Sequence, residues 1–154
     1  MLRNAIYVFL ISMIPVIELR GAIPAGAALH LPFWLCYILA VIGNMIPVPF
    51  ILLFVNKVFD WMRKYPKLNK IVVFCETKFA KKAAKAGKAT FWTLVGFVAI
   101  PLPGTGAWTG SGIAAVLEVP FWKAFLAAFI GVLIAGAIMT AASYGLVSGL
   151  SFLL

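Results

Sequence analysis

The sequence predicts an all-α integral membrane protein with two inverted repeats, each a reentrant helical hairpin followed by a transmembrane helix. Two observations support this fold class. The first is composition, because 64% of the 154 residues are hydrophobic, 11% are charged and the mean hydropathy is +1.09. A soluble domain of this length could not bury so much apolar surface. The second observation is an internal repeat.

The repeat has an offset of 88 residues and is clearest around two Pro-Phe-Trp sequences. Residues 26–34 read Gly-Ala-Ala-Leu-His-Leu-Pro-Phe-Trp, and residues 114–122 read Ala-Ala-Val-Leu-Glu-Val-Pro-Phe-Trp. His30 and Glu118 therefore occupy equivalent positions. Over residues 15–46 the copies share 10 identities in 32 positions without a gap. Duplicated halves in a membrane protein predict pseudo-symmetry with a site where the halves meet, which is typical of transporters.

The first repeat is predicted to cover residues 1–56. Residues 33–55 carry no charge and are long enough to cross the membrane. The preceding apolar segment, residues 5–31, cannot be one straight helix, because proline removes a backbone donor and glycine weakens a helix interior. Irregular backbone at membrane depth survives only where protein or a wet cavity surrounds it, which favours a reentrant hairpin. The helix-breaking residues of this segment are Pro15, Gly21, Pro24 and Gly26.

Residues 57–90 form a basic middle segment. Ten of the 13 Lys and Arg residues lie between Lys57 and Lys88. The positive-inside rule therefore predicts that residues 57–88 are cytoplasmic, next to a cytoplasmic membrane. Helical spacing of the lysines predicts an amphipathic helix on anionic lipid headgroups. These lysines are Lys78, Lys81, Lys82 and Lys85. No soluble module accompanies the charge, so a nucleic-acid partner is not expected.

The second repeat is predicted to cover residues 91–154, with a broken segment at 91–119 and a span at 121–143. If each hairpin enters and leaves on one side, the halves are inverted and their tips approach each other from opposite leaflets. The rival interpretation makes each broken segment a full crossing, which gives four spans with both termini in the cytoplasm. Both interpretations are consistent with the positive-inside rule, because both place residues 57–88 in the cytoplasm. The breaks of this segment are Pro101, Pro103, Gly104, Gly106, Gly110 and Gly112.

Glu18 and Arg20 are the main candidate site residues of the first half. They are the only ionisable residues within a broken apolar segment that lie away from the expected membrane boundaries, and a charge inside the membrane is costly enough to indicate function. Glu18 is a candidate proton carrier. Arg20 is a candidate partner for Glu18, or for a phosphate or carboxylate of the substrate. A purely structural ion pair is the alternative.

The second half offers uncharged candidates. Glycine-rich backbone can form an anion-binding nest, hydroxyls can bind a headgroup, and an indole can stack on a substrate. The spacing of Gly106 and Gly110 is also typical of simple helix packing. Asn44 is a lone polar residue in the first span, where a helix–helix hydrogen bond explains it as well as a substrate contact does. The second-half candidates are Pro103, Gly104, Thr105, Gly106, Trp108 and Thr109.

Two motifs resemble a known family. Residues 15–24, Pro-Val-Ile-Glu-Leu-Arg-Gly-Ala-Ile-Pro, and residues 101–110, Pro-Leu-Pro-Gly-Thr-Gly-Ala-Trp-Thr-Gly, resemble the small multidrug export family. The second half is also similar to the DedA superfamily, which implies inverted reentrant repeats and movement of lipids such as undecaprenyl phosphate. That resemblance makes Glu18 the acidic residue of the first motif. DedA proteins carry an arginine after the second Pro-Gly, which this chain lacks, so Arg20 is expected to supply the cation.

These observations predict a small transporter or lipid translocase that moves an anionic lipid or amphiphile such as a polyprenyl phosphate. Proton coupling through Glu18 is a hypothesis. The expected partners are membrane lipids, a small-molecule or lipid substrate and further copies of the chain in a homo-oligomer. Neither enzymatic activity nor a cofactor or metal is predicted. Two alternatives stay open: an exporter of small cationic or amphipathic drugs, and a membrane scaffold that transports nothing.

Overall fold

In a computed structural model the chain is described at residues 1–86, 91–102 and 104–153, with the side chains of residues 79, 82–86 and 147–153 left out of that description. Regular structure in these residues is helical throughout, as the sequence predicts. The helices are α1 (Leu2–Ser12), α2 (Glu18–Ala28), α3 (Phe33–Met45), α4 (Pro47–Arg63), α5 (Pro66–Ala86), α6 (Phe91–Ala99), α7 (Ala107–Val116) and α8 (Phe121–Leu153).

The 88-residue repeat recurs in the order of the helices. Each half contains a short apolar helix, a break, a second short helix, a tight turn and a long apolar helical stretch. In the first half these are α1, α2 and the stretch formed by α3 and α4, and in the second half they are α6, α7 and α8. The long helices begin at Phe33 and Phe121, which are 88 residues apart. We call residues 13–17 the first break and residues 100–106 the second break.

The turn before each long helix has the same backbone in both halves. His30 and Glu118 both have a φ of 53°. The amide of Leu31 donates to the carbonyl of Gly26 at 3.0 Å, and the equivalent amide of Val119 donates to Ala114 at 2.9 Å. This left-handed residue with its long backward hydrogen bond is a Schellman helix end. The sequence repeat is therefore also a repeat of local structure.

The halves are interleaved, since α2 packs against α8 and α7 packs against α4. The equivalent helices α3 and α8 also pack together, and they run antiparallel. The ring of Phe33 lies 6.3 Å from that of Tyr144, whereas Val41, further along α3, adjoins Gly136, earlier in α8. The Tyr144 hydroxyl donates to the Leu31 carbonyl at 2.8 Å and fixes one end of this pair.

Several predicted helix breakers lie inside helices, which corrects the boundaries drawn from the sequence. Pro24 and Gly26 are within α2, and Gly110 is within α7. These glycines serve close packing: a Cβ on Gly26 would collide with the Cys36 sulfur, and one on Gly110 would lie 2.6 Å from the Val98 side chain. Both short helices therefore end later than a count of Pro and Gly predicts.

The first predicted span is longer than expected and is divided. A break at Ile46, before Pro47, separates α3 from α4, and α4 continues past residue 56 to Arg63. Nothing in residues 55–63 stops the helix, whereas Pro66 begins the next one. Two helical stretches in the described residues are long and apolar enough to cross a membrane. They are Phe33–Arg63, which α3 and α4 form together, and Phe121–Leu146 of α8.

Most of the basic segment is helical: its first residues belong to the end of α4, and residues 66–86 form α5. Arg63, at the end of α4, bonds to Asp60 at 3.2 Å and also to Glu76 of α5. This ion pair and the packing of α5 on α4 and α7 hold α5 beside α7. The predicted lysines Lys82 and Lys85 lie outside the described side chains, and Lys88 lies outside the described residues.

Candidate substrate site between the two breaks

The two breaks meet in the folded chain. Glu18 follows the first break with a φ of 51°, and Gly106, its repeat equivalent, ends the second break with a φ of 133°. A Cβ on Gly106 would collide with the Glu18 carboxylate. Equivalent points of the two halves are thus in direct contact, as expected for a site between pseudo-symmetric halves.

Glu18 binds the start of α7. Its carboxylate accepts a hydrogen bond from the Trp108 amide at 3.2 Å, and its side chain is only 4% exposed. The first amides of a helix have no partner within that helix, and they carry a partial positive charge. In the structure, the backbone at the start of α7 is bound to the carboxylate of Glu18, and the anion-binding role of the second half stays a prediction.

Arg20 binds the other end of the second break. Its guanidinium donates to the carbonyls of Leu102 at 2.6 Å and Ile100 at 2.9 Å, to the carbonyl of Thr105, and to the Thr105 hydroxyl at 3.0 Å. A longer bond of 3.4 Å reaches Val98 in the last turn of α6. Carbonyls at a helix end lack partners and attract a cation. Arg20 therefore satisfies the end of α6, while Glu18 satisfies the start of α7.

Glu18 and Arg20 act on different groups and do not form the direct ion pair that the sequence left open. The ion pairs in the described part of the chain join Arg63 to Asp60 and Glu76. We call Glu18 and Arg20 the charge clamp, because the first half uses these two residues to bind both sides of the second break. The hydrogen-bond acceptors of Arg20 are neutral, and its guanidinium forms no ion pair with a described carboxylate.

A cavity of about 880 Å³ lies beside the charge clamp. Its size falls within the range of small-molecule sites. Its polar lining comes from both halves and includes Glu18, Arg20, Gly104, Thr105 and Thr109, all of which the sequence predicts as site residues. The remaining wall is mostly apolar and comprises Pro15, Val16, Ile17, Gly21, Pro101, Met139, Phe74 and Cys75, together with Lys78.

The other predicted site residues lie elsewhere. Gly106 lies against the Glu18 carboxylate, and the backbone amide of Trp108 donates a hydrogen bond to that carboxylate. The Trp108 indole nitrogen is buried with no partner in the described residues, and Trp108 does not line the cavity. Asn44 is 1% exposed, lines no part of the cavity, and its amide is likewise unpartnered among described residues. Pro103 lies outside the described residues.

The cavity residues that sequence reasoning did not assign to the site include three residues of α5, namely Phe74, Cys75 and Lys78. Sequence reasoning interpreted α5 as a helix on the lipid surface, because its lysines recur at helical spacing. The packing of α5 against α7 brings it to the cavity. No local pattern in α5 specifies that contact, since the partner lies about 30 residues further along the chain.

Comparison with known families agrees with the motifs around the charge clamp. A family model described as "Putative small multi-drug export protein" matches residues 18–138. The chain belongs to this family. The match begins at Glu18 and covers Arg20, the second break and α5, so it includes every described residue of the clamp and of the groups it binds.

The family description is that of an exporter, which is a class of transporter and not of enzyme. The family and the two apolar helices support a membrane location. Searches among curated proteins and among solved structures found no significant match to this chain. Within the described residues, no group of three or more His, Cys, Asp or Glu could hold a metal ion.

Proposed function

We propose that this protein exports an anionic amphiphile across the cytoplasmic membrane, with the cavity beside the charge clamp as the substrate site. The observation that carries the proposal is the chemistry of this cavity. Its apolar wall suits a hydrocarbon chain, and its polar residues come from both halves. Glu18 is buried on α7, while Arg20 keeps a positive charge that no carboxylate pairs with in the described residues.

The proposed architecture is a pair of inverted reentrant repeats. Three observations support it: the equivalent helices α3 and α8 are antiparallel, the two breaks meet, and each short second helix packs against the long helix of the other half. In such a fold the substrate crosses where the hairpins meet, because each half opens the site to one side. The basic α5 would then lie on the cytoplasmic side.

Inverted halves predict that α5 and the C-terminus lie on opposite sides of the membrane. Single cysteines can be introduced by Lys70→Cys or appended after the last residue, on a Cys36→Ala, Cys75→Ala background. A membrane-impermeant thiol reagent applied to intact cells should then label only the appended cysteine, and Lys70→Cys only after permeabilisation. Equal labelling of both positions would instead support four complete crossings.

Glu18→Gln is expected to reduce export at least about tenfold in proteoliposomes. The amide still fits against α7 and accepts from Trp108, but it carries no charge to bind the helix start and cannot exchange a proton. The measurement is the initial uptake rate of decyl phosphate above that of protein-free vesicles. If Glu18 couples export to protons, an imposed pH gradient should accelerate the wild type and leave the variant unchanged.

Asp60→Asn is the matched control, because the Asp60 side chain is 70% exposed and lies outside the cavity. It should keep the wild-type rate. Full activity of correctly inserted Glu18→Gln protein would contradict the proposed role of Glu18. A wild-type flux that ignores the pH gradient would remove proton coupling but not the substrate site.

Export of a cationic drug is the second candidate, since the family description names multidrug export. In this case the carboxylate of Glu18 would have to leave α7 to pair with the drug, and Arg20 would repel it. Uptake of decyltrimethylammonium faster than decyl phosphate would favour this candidate. The similarity to DedA proteins and the homo-oligomer stay predictions; light scattering of the purified protein tests the second.

A further inference from the structure

The helix α5 reaches the same cavity as the charge clamp. Phe74, Cys75 and Lys78 lie on its wall, and Phe74 and Lys78 are one helical turn apart. The Lys78 ammonium is 5.5 Å from the centre of the Phe74 ring, a favourable cation–aromatic distance. Because the ion pair between Arg63 and Glu76 ties α5 to α4, this part of α5 is held in place.

The charges of the cavity wall are unequal. Among the residues that line the cavity, Glu18 is the acidic one, and Arg20 and Lys78 are the basic ones. Glu18 is bound to the start of α7, and Arg20 is bound to carbonyls and a hydroxyl. No described acidic residue forms an ion pair with Lys78. The cavity therefore has an excess of positive charge contributed by two different helices.

We propose that Lys78 is a headgroup-binding residue of the substrate site and acts together with Arg20 to select an anionic headgroup such as a phosphate. This inference rests on the proposed function and names a residue that decides substrate charge. An ammonium on a flexible chain can follow a headgroup as it moves, whereas the guanidinium of Arg20 is held by its backbone acceptors. The apolar wall beside Phe74 receives the hydrocarbon chain.

Cys75 allows a direct binding measurement, because it lies on the cavity wall and is a partly buried free thiol. The rate at which a maleimide labels Cys75 in purified protein is measured against increasing decyl phosphate, decanol or decyltrimethylammonium. Cys75→Ser protein gives the background from Cys36, which is fully buried. Decyl phosphate should slow labelling at the lowest concentration of the three.

Lys78→Gln should raise the decyl phosphate concentration that halves the rate of Cys75 labelling about three- to tenfold, since it removes one charge-assisted contact. The corresponding concentration of decanol should stay unchanged. Lys78→Arg should restore most of the affinity. Lys70→Gln is the matched control, an exposed lysine of α5 outside the cavity, and should behave as the wild type. For each variant, the labelling rate with ligand is divided by the rate of the same variant without ligand, so that a change in the reactivity of Cys75 does not affect the comparison.

The outcomes separate this inference from the proposed function. Protection by decyl phosphate that is equal in Lys78→Gln and Lys70→Gln overturns the role of Lys78 and leaves the substrate site intact. No protection by any of the three amphiphiles overturns both. Stronger protection by decyltrimethylammonium overturns the selection of anions and favours the cationic-drug exporter.

Discussion

Gly106→Ala is expected to inactivate export and to lower the thermal midpoint of the purified protein by about 5 °C or more. Gly106 has φ 133° and ψ −176°, a backbone conformation that is essentially restricted to glycine, and forcing alanine into it costs about 1–3 kcal/mol. The added Cβ would also collide with the Glu18 carboxylate. Relief of that collision requires Glu18 to leave the start of α7, which disrupts the charge clamp.

Gly96→Ala is the matched control for this substitution. Gly96 lies within α6, and a Cβ there would have no atom within 4 Å. Alanine should be neutral or stabilising by up to about 1 kcal/mol, because it favours the helix. Equal thermal midpoints and equal export rates for the two variants, measured in the same detergent and vesicles, would refute the close contact between Gly106 and Glu18.

Arg20→Ala is expected to have the second large effect, a loss of both stability and export. It removes the guanidinium donors from the carbonyls of the second break. The carbonyls of Ile100 and Leu102 then keep only donors from within the break, namely the Leu102 amide and the amide and hydroxyl of Thr105. A hydrogen bond to a charged group is worth about 1.5–3 kcal/mol, so the loss of several bonds should lower the thermal midpoint strongly. Export should fall at least about tenfold, since the cavity also loses a positive charge.

Arg20→Lys separates the charge from the geometry. Lysine keeps the positive charge but cannot present the planar fork that reaches several carbonyls at once. It should recover part of the binding of decyl phosphate but little of the thermal stability. Arg3→Ala, at an exposed position of α1, controls for loss of an arginine. Wild-type stability of Arg20→Ala would mean that the second break does not depend on the clamp.

The repeat in the sequence predicted much of the fold because it is a pattern of local structure. Proline, glycine and the Pro-Phe-Trp sequences fix where helices stop and start, and these signals act over a few residues. The starts of α3 and α8 and the shared turns at His30 and Glu118 follow from them. The helix α4 continues past the predicted domain boundary at residue 56, because no local signal ends the helix there.

The sequence predicted which charged residues belong to the candidate site, but not which groups they bind. Glu18 and Arg20 stood out, since charges in an apolar segment are costly. Their separate roles at the two ends of the second break depend on groups more than 75 positions away in the chain. Backbone amides and carbonyls are present at every residue, so composition alone does not reveal which of them lack partners.

The sequence by itself determined that this is a helical membrane protein of two similar halves with one acid and one arginine in the first break region. Only the tertiary structure decided that these two charges bind the backbone of the other half and that α5 lines the cavity beside them. The physical reason is the distance along the chain over which each effect acts. Hydropathy and helix breaking act along the chain, whereas the partner of a buried charge is decided by which unsatisfied groups folding brings within hydrogen-bond distance.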